Sequence, residues 1–179
     1  MFITGSCPMR DHNNNLMEFV KNPHLMRVFT SFGDNLTYPP VYWYEGDYIF
    51  PYLREIIEKK NIEMIIGYSA GGYPGFHLCN KYKLKGLHFN PAIASSSEAP
   101  TLQTLPDDYK NIPVFGEQTI IIGEKDRKWR GGVDAHLVIN YLDEIGFEAA
   151  GGEILIIPDL VHEVPLDLFR MAFDYFKHK

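Results

Sequence analysis

Ile62-Glu63-Met64-Ile65-Ile66-Gly67-Tyr68-Ser69-Ala70-Gly71-Gly72 decides how the chain is read, because an apolar run stops abruptly at a turn of small residues with a serine at its apex. The pattern is strand, sharp turn, helix. Within it, Gly67-Tyr68-Ser69-Ala70-Gly71 has the form G-x-S-x-G, whose small flanking residues let the backbone turn tightly enough to lift a serine hydroxyl above the sheet. That placement suits a nucleophile. The N–H of Ala70 would then lie at a helix N-terminus, where unpaired donors and the helix dipole stabilise a developing oxyanion.

Outward from this stretch, short Ile-rich runs alternate with amphipathic segments. Residues 1–5 read as a buried strand, 16–20 as a helix after the cap-type residues Asp11 to Asn15, and 27–32 as a second strand. Ile49, Phe50, Leu53, Ile56 and Ile57 recur at helical spacing over 47–60, with Pro51 in the first turn. After Ser69 a helix runs to about Tyr82. Pro74 is discordant if that helix starts at Ala70, since it then falls beyond the first turn. Strands follow at 84–89, 119–122 and 153–157, with one helix beginning over 134–142 and ending near Gly146 and another at 165–176. The long polar stretch 90–117 holds at most a short helix near 107–111. Near-continuous apolar strands suit a parallel sheet covered on both faces, with ligands beyond the carboxyl ends of the strands.

The 179 residues suit one domain, 1–179, and 45% hydrophobic with 14% aromatic content is that of a folded globule. A net charge of −6 without any dense Lys/Arg run argues against nucleic acid as a partner. No apolar run reaches membrane-spanning length, and the N-terminus lacks a basic region and a long apolar core, so a soluble cytoplasmic protein is expected. Cys7 and Cys79 match no metal spacing. The sequence does not give the oligomeric state.

A serine hydroxyl needs a base, and the base an orienting acid. Of seven histidines, only His162 follows a clear strand with a loop able to carry it over the sheet. His88 lies within a strand. Asp126 leaves the 119–122 strand as His162 leaves the last one, although Glu124 and Asp159 are close enough in sequence to compete. The order is Ser69, Asp126, His162. Tyr68, Tyr42, Trp43 and Asn90 are the candidates to border a substrate pocket, Asn90 chiefly by shaping its loop through side-chain to backbone bonds. For the aromatic segment 38–44, and for Trp129 and Arg130, ordinary packing is the competing account.

Gly67-Tyr68-Ser69-Ala70-Gly71-Gly72, Phe89-Asn90-Pro91-Ala92, Gly123-Glu124-Lys125-Asp126 and Val161-His162-Glu163 together resemble the α/β-hydrolase superfamily, and within it the small bacterial esterases of the YqiA type. The likeness spans nearly the whole chain, from Phe2 to Phe176. It implies a three-layer α/β fold with a reduced, mostly parallel six-stranded sheet lacking the superfamily's first two strands. It also implies Ser69 as nucleophile, His162 as general base and Asp126 as orienting acid, hydrolysing small acyl esters or thioesters without metal or organic cofactor. The family's His-Gly oxyanion loop is replaced here by Thr4-Gly5, so the second donor would be the N–H of Ser6, or else Cys7. With no large inserted lid, a shallow pocket for short acyl chains is expected. A non-catalytic ligand-binding protein on the same fold, an acyltransferase using the same triad, and a flavodoxin-like binding domain are the competing functions. The last lacks a glycine-rich phosphate loop.

Overall fold

A computed structural model describes residues 1–3, 36–37, 39, 41, 48–94, 105–127 and 134–177. Five strands form one sheet: β1 (Phe2–Ile3), β2 (Met64–Tyr68), β3 (Lys85–Phe89), β4 (Gln118–Gly123) and β5 (Glu153–Ile157). Neighbours in space are neighbours in sequence, and all four ladders are parallel. The expected sheet of six strands is therefore five among the described residues, because the strand read at 27–32 lies outside them. On the outer side of β1, the Phe2 N–H donates to the Thr37 carbonyl at 3.0 Å.

Strand order fixes the layers. Parallel strands paired in sequence order, joined by right-handed crossovers, carry their connecting helices to one face. Thus α1 (Ile49–Lys60), α2 (Gly72–Tyr82) and α3 (Ala135–Glu144) cover the face bearing Ile65, Ile120 and Ile122. The opposite face carries Ile66, Leu87, Phe89 and Ile121, offset by the period of two in each strand. It is covered by α4 (Leu166–Lys177), the helix after the last strand. Phe169 meets Phe2 and Phe89 there, with ring centroids 6.2 and 4.2 Å apart. A fully buried side chain of this kind contributes about 2–3 kcal/mol.

Helix ends follow local chemistry. Asp134 caps α3 by accepting the His136 N–H at 3.0 Å, and left-handed Asn61 and Lys83 close α1 and α2. Pro74 fits because α2 begins at Gly72: a 3₁₀ turn over Ser69–Gly71 comes first, leaving proline in the first α-helical turn. The stretch 107–111 supplies a single 3₁₀ turn, Asp107–Tyr109, and Tyr109 packs on Phe50 of α1 with centroids 4.9 Å apart. This part of the long 90–117 segment belongs to the helical layer. Residues 95–104 and most of 38–44 lie outside the described residues.

Candidate active site

At Tyr68 the backbone is still extended, with φ −131° and ψ 132°; at Ser69 it turns left-handed, with φ 54°. An L-residue in that region is strained, and such strain persists only where the surroundings impose it. Here the imposition is close packing of strand, turn and helix. A Cβ on Gly67 would stand 2.7 Å from His88 Nδ1 and 2.8 Å from the Gly72 Cα, and one on Gly72 would stand 2.3 Å from the Pro91 Cβ. The glycines of the motif thus let α2 start directly over the strand ends. Ser69 is left at the carboxyl edge of the sheet, and buried Ala70 follows it in the turn that opens into α2. Its amide is one of the N-terminal donors that a helix cannot pair internally.

Two further strand exits meet this serine. His162, in the loop between β5 and α4, has Nε2 2.9 Å from Ser69 Oγ and Nδ1 2.8 Å from Asp126 Oδ2. Asp126 leaves β4 in a turn whose N–H donates to the Gly123 carbonyl at 3.0 Å. Its side chain is 2% exposed and that of His162 23%, so the carboxylate is sealed while the imidazole stays reachable. An ionised carboxylate only accepts, which assigns the proton to Nδ1 and leaves Nε2 to accept from the serine hydroxyl. The rival acids lie elsewhere: exposed Asp159 pairs with Lys125, and Glu124 is exposed with its N–H on the Ile157 carbonyl. That last bond and Lys125 N–H to the Leu160 carbonyl, at 3.1 and 3.0 Å, lace the β4 exit to the β5 exit.

Tyr68, read from sequence as a pocket candidate, proves to be a support for the histidine. Its ring stacks on the imidazole at 5.5 Å and 25°, and its hydroxyl donates to the His162 carbonyl at 3.0 Å. Burial first, then the charges of Glu163 and Asp126, push this phenol well above its ordinary range, so it keeps the proton it donates. Asn90 is corrected. It is 2% exposed with its amide committed to backbone groups, so it does not present a side chain to a pocket. Its burial follows from a left-handed turn, φ 42°, at the end of β3, which aims the side chain back under the neighbouring exits. Ser6, Cys7, Tyr42, Trp43, Trp129 and Arg130 lie outside the described residues. Among the described residues no three His, Cys, Asp or Glu side chains group as a metal site requires, and no helix is long and apolar enough to cross a membrane.

No family model matches the chain, nor does any of the curated proteins. Solved structures do. A predicted CIB-like hydrolase from Thermoplasma acidophilum aligns with a TM-score of 0.56 at 17% identity, over 99% of this chain and 85% of that one. An uncharacterized protein from Bacillus cereus aligns at 0.55 and 13% identity, over 99% of this chain and 57% of its own. A protein assigned as a dipeptidyl aminopeptidase IV in Bacteroides ovatus aligns at 0.51 and 17% identity, over 70% of this chain and 21% of its own. The chain therefore spans about a fifth of the last and under three fifths of the Bacillus protein. The fold is α/β-hydrolase-like, a parallel sheet between helical layers.

Proposed function

We propose that this chain is a serine hydrolase acting on carboxylic esters or thioesters of small acyl groups, related to the small esterases of the α/β-hydrolase superfamily. One observation carries the reading: the hydrogen-bonded line Ser69–His162–Asp126, drawn from three separate strand exits, with its serine held at positive φ. In the reaction Ser69 Oγ attacks the acyl carbonyl as its proton passes to His162 Nε2. The imidazolium, steadied by Asp126, returns that proton to the leaving alcohol or thiol. A water then loses its proton to the same nitrogen and attacks the acyl-serine, releasing the acid and regenerating the hydroxyl. The oxyanion faces the Ala70 N–H, with the N–H of Ser6 as second donor. Each such donor is worth about 3 kcal/mol in the transition state. The cycle needs no cofactor.

The test is hydrolysis of p-nitrophenyl acetate and butyrate by the full chain. Wild type is expected to turn over both, and Ser69→Ala to lose at least about 10³-fold in kcat. Equal rates from the two proteins contradict the proposal.

A further inference from the structure

We propose that Asn90 is the positioning residue that holds the three triad-bearing turns in register, an inference resting on the hydrolase reading above. Its side chain uses both ends. The Oδ1 accepts the Gly123 N–H at 2.7 Å, at the point where β4 gives way to the Asp126 turn. The Nδ2 donates to the carbonyls of Val161 and His162, each at 3.0 Å. Its own N–H bonds the Ile121 carbonyl at 2.8 Å, fixing the residue to β4. The two following residues reach the nucleophile: Pro91 packs against Gly72, and the Ala92 N–H donates to the Ser69 carbonyl at 3.0 Å. One left-handed turn therefore touches the backbone of the serine turn, the aspartate turn and the histidine loop.

The His162 carbonyl is the most constrained point of this arrangement, because it accepts from both Asn90 Nδ2 and the Tyr68 hydroxyl. Both donors fix the backbone from which the imidazole projects, and Tyr68 also stacks on the ring. Removing the Asn90 amide takes their side-chain partner from the Gly123 N–H and the Val161 carbonyl, leaves the His162 carbonyl with the Tyr68 hydroxyl alone, and lets the histidine loop drift from the other two turns. A displacement of about 1 Å at a catalytic group costs up to 10²-fold in rate. The loss belongs in kcat, since Asn90 is buried and touches no substrate.

The experiment compares wild type with Asn90→Ala and Asn90→Ser in the full chain; serine retains an oxygen in place of Oδ1 but supplies no amide for the two carbonyls. Readouts are kcat and KM on p-nitrophenyl acetate, the thermal midpoint, and the downfield proton NMR signal of His162 Nδ1–H, assigned by its loss in His162→Ala. Both variants are expected to lose about tenfold or more in kcat with KM changed by less than about twofold, and to broaden or lose the Nδ1 signal while folded. If Asn90→Ala does not fold, Asn90→Ser carries the comparison. A retained signal overturns the proposal, whether kcat stays near wild type or falls only in step with the folded fraction. If wild type shows no Ser69-dependent turnover, the hydrolase reading fails, and the NMR comparison still decides whether Asn90 positions the histidine.

Discussion

Ser69 carries two costs in one position: it must present a hydroxyl to His162, and it must do so at φ 54°. In the proposed reaction the hydroxyl serves the chemistry, while the backbone angle is what the turn requires of any residue placed there. The two can be separated. Ser69→Ala and Ser69→Gly both remove the hydrogen bond to His162, but only glycine occupies the left-handed region without a Cβ clash. We expect Ser69→Gly to be more stable than Ser69→Ala by about 1 kcal/mol in urea unfolding, with both equally inactive. Equal stabilities would mean that the serine turn relaxes in solution and stores no strain. The same scale shows why Asp126, rather than Asp159 or Glu124, meets the imidazole. Asp126 is drawn under the loop by its own turn, whereas Asp159, itself left-handed at φ 62°, is exposed and paired with Lys125.

Among the elements, the contact that matters most is the start of α2 against the exits of β2 and β3. Gly72 touches Pro91, and Pro91 stands between Asn90 and Ala92, so the packing that admits the helix also seats the turn under Ser69, Asp126 and His162. A methyl group at 72 has nowhere to go, since its nearest neighbours are the Cβ and Cα of a proline at 2.3 and 2.7 Å. Gly72→Ala is therefore expected to destabilise by about 1–3 kcal/mol, read as a lower urea midpoint at unchanged slope. A midpoint within error of wild type would show that the loop after β3 moves aside freely. The motif glycines were legible in the sequence, and so was the helix they open. Gly72 as the true helix start was not, because a 3₁₀ turn and an α-helical turn look alike in residue pattern. For Asn90, side-chain to backbone bonding could be read, but not its partners. Its donors and acceptors are 33, 71 and 72 residues apart in the chain, and Asn-Pro after a strand announces a turn without saying what the side chain will reach.

Across the whole molecule, the alternation of strands and helices could be read from apolar runs and amphipathic segments, and the meeting of Ser69, Asp126 and His162 from which strand each residue follows. The buried polar layer beneath the site could not. His88 is fully buried, with Nε2 3.0 Å from Gln118 Oε1, and Gln118 Nε2 donates to Asn80 Oδ1 at 2.8 Å. Sequence placed His88 in a strand but gave no sign that it fills the space left by Gly67, Gly75 and Gly86. Burial pulls its pKa from 6.5 down to about 4, against a smaller opposing pull from Gln118. His77, half-buried on α2, is drawn down to about 4 by burial and then by His88. The unfolded chain takes up these protons near 6.5 and the folded protein only near 4, so protons favour unfolding in between. Stability is complete above 6.5 and declines as pH falls toward 4, by about 2 kcal/mol from His88 alone on reaching roughly pH 5. Urea midpoints across that range check the slope; a flat profile would mean that His88 finds a proton-bound state inside the fold.

In the proposed reaction Ser69 is a nucleophile activated by His162, and covalent capture reads that directly. The full chain is treated with a fluorophosphonate and digested, and the modified residue is located by mass spectrometry, with Ser69→Ala and His162→Ala treated alongside. Wild type is expected to carry a single phosphonyl adduct on Ser69, Ser69→Ala none, and His162→Ala to label at least about 10²-fold more slowly. An unlabelled Ser69 in folded wild type, or labelling that proceeds at the same rate without His162, would contradict the proposed reaction.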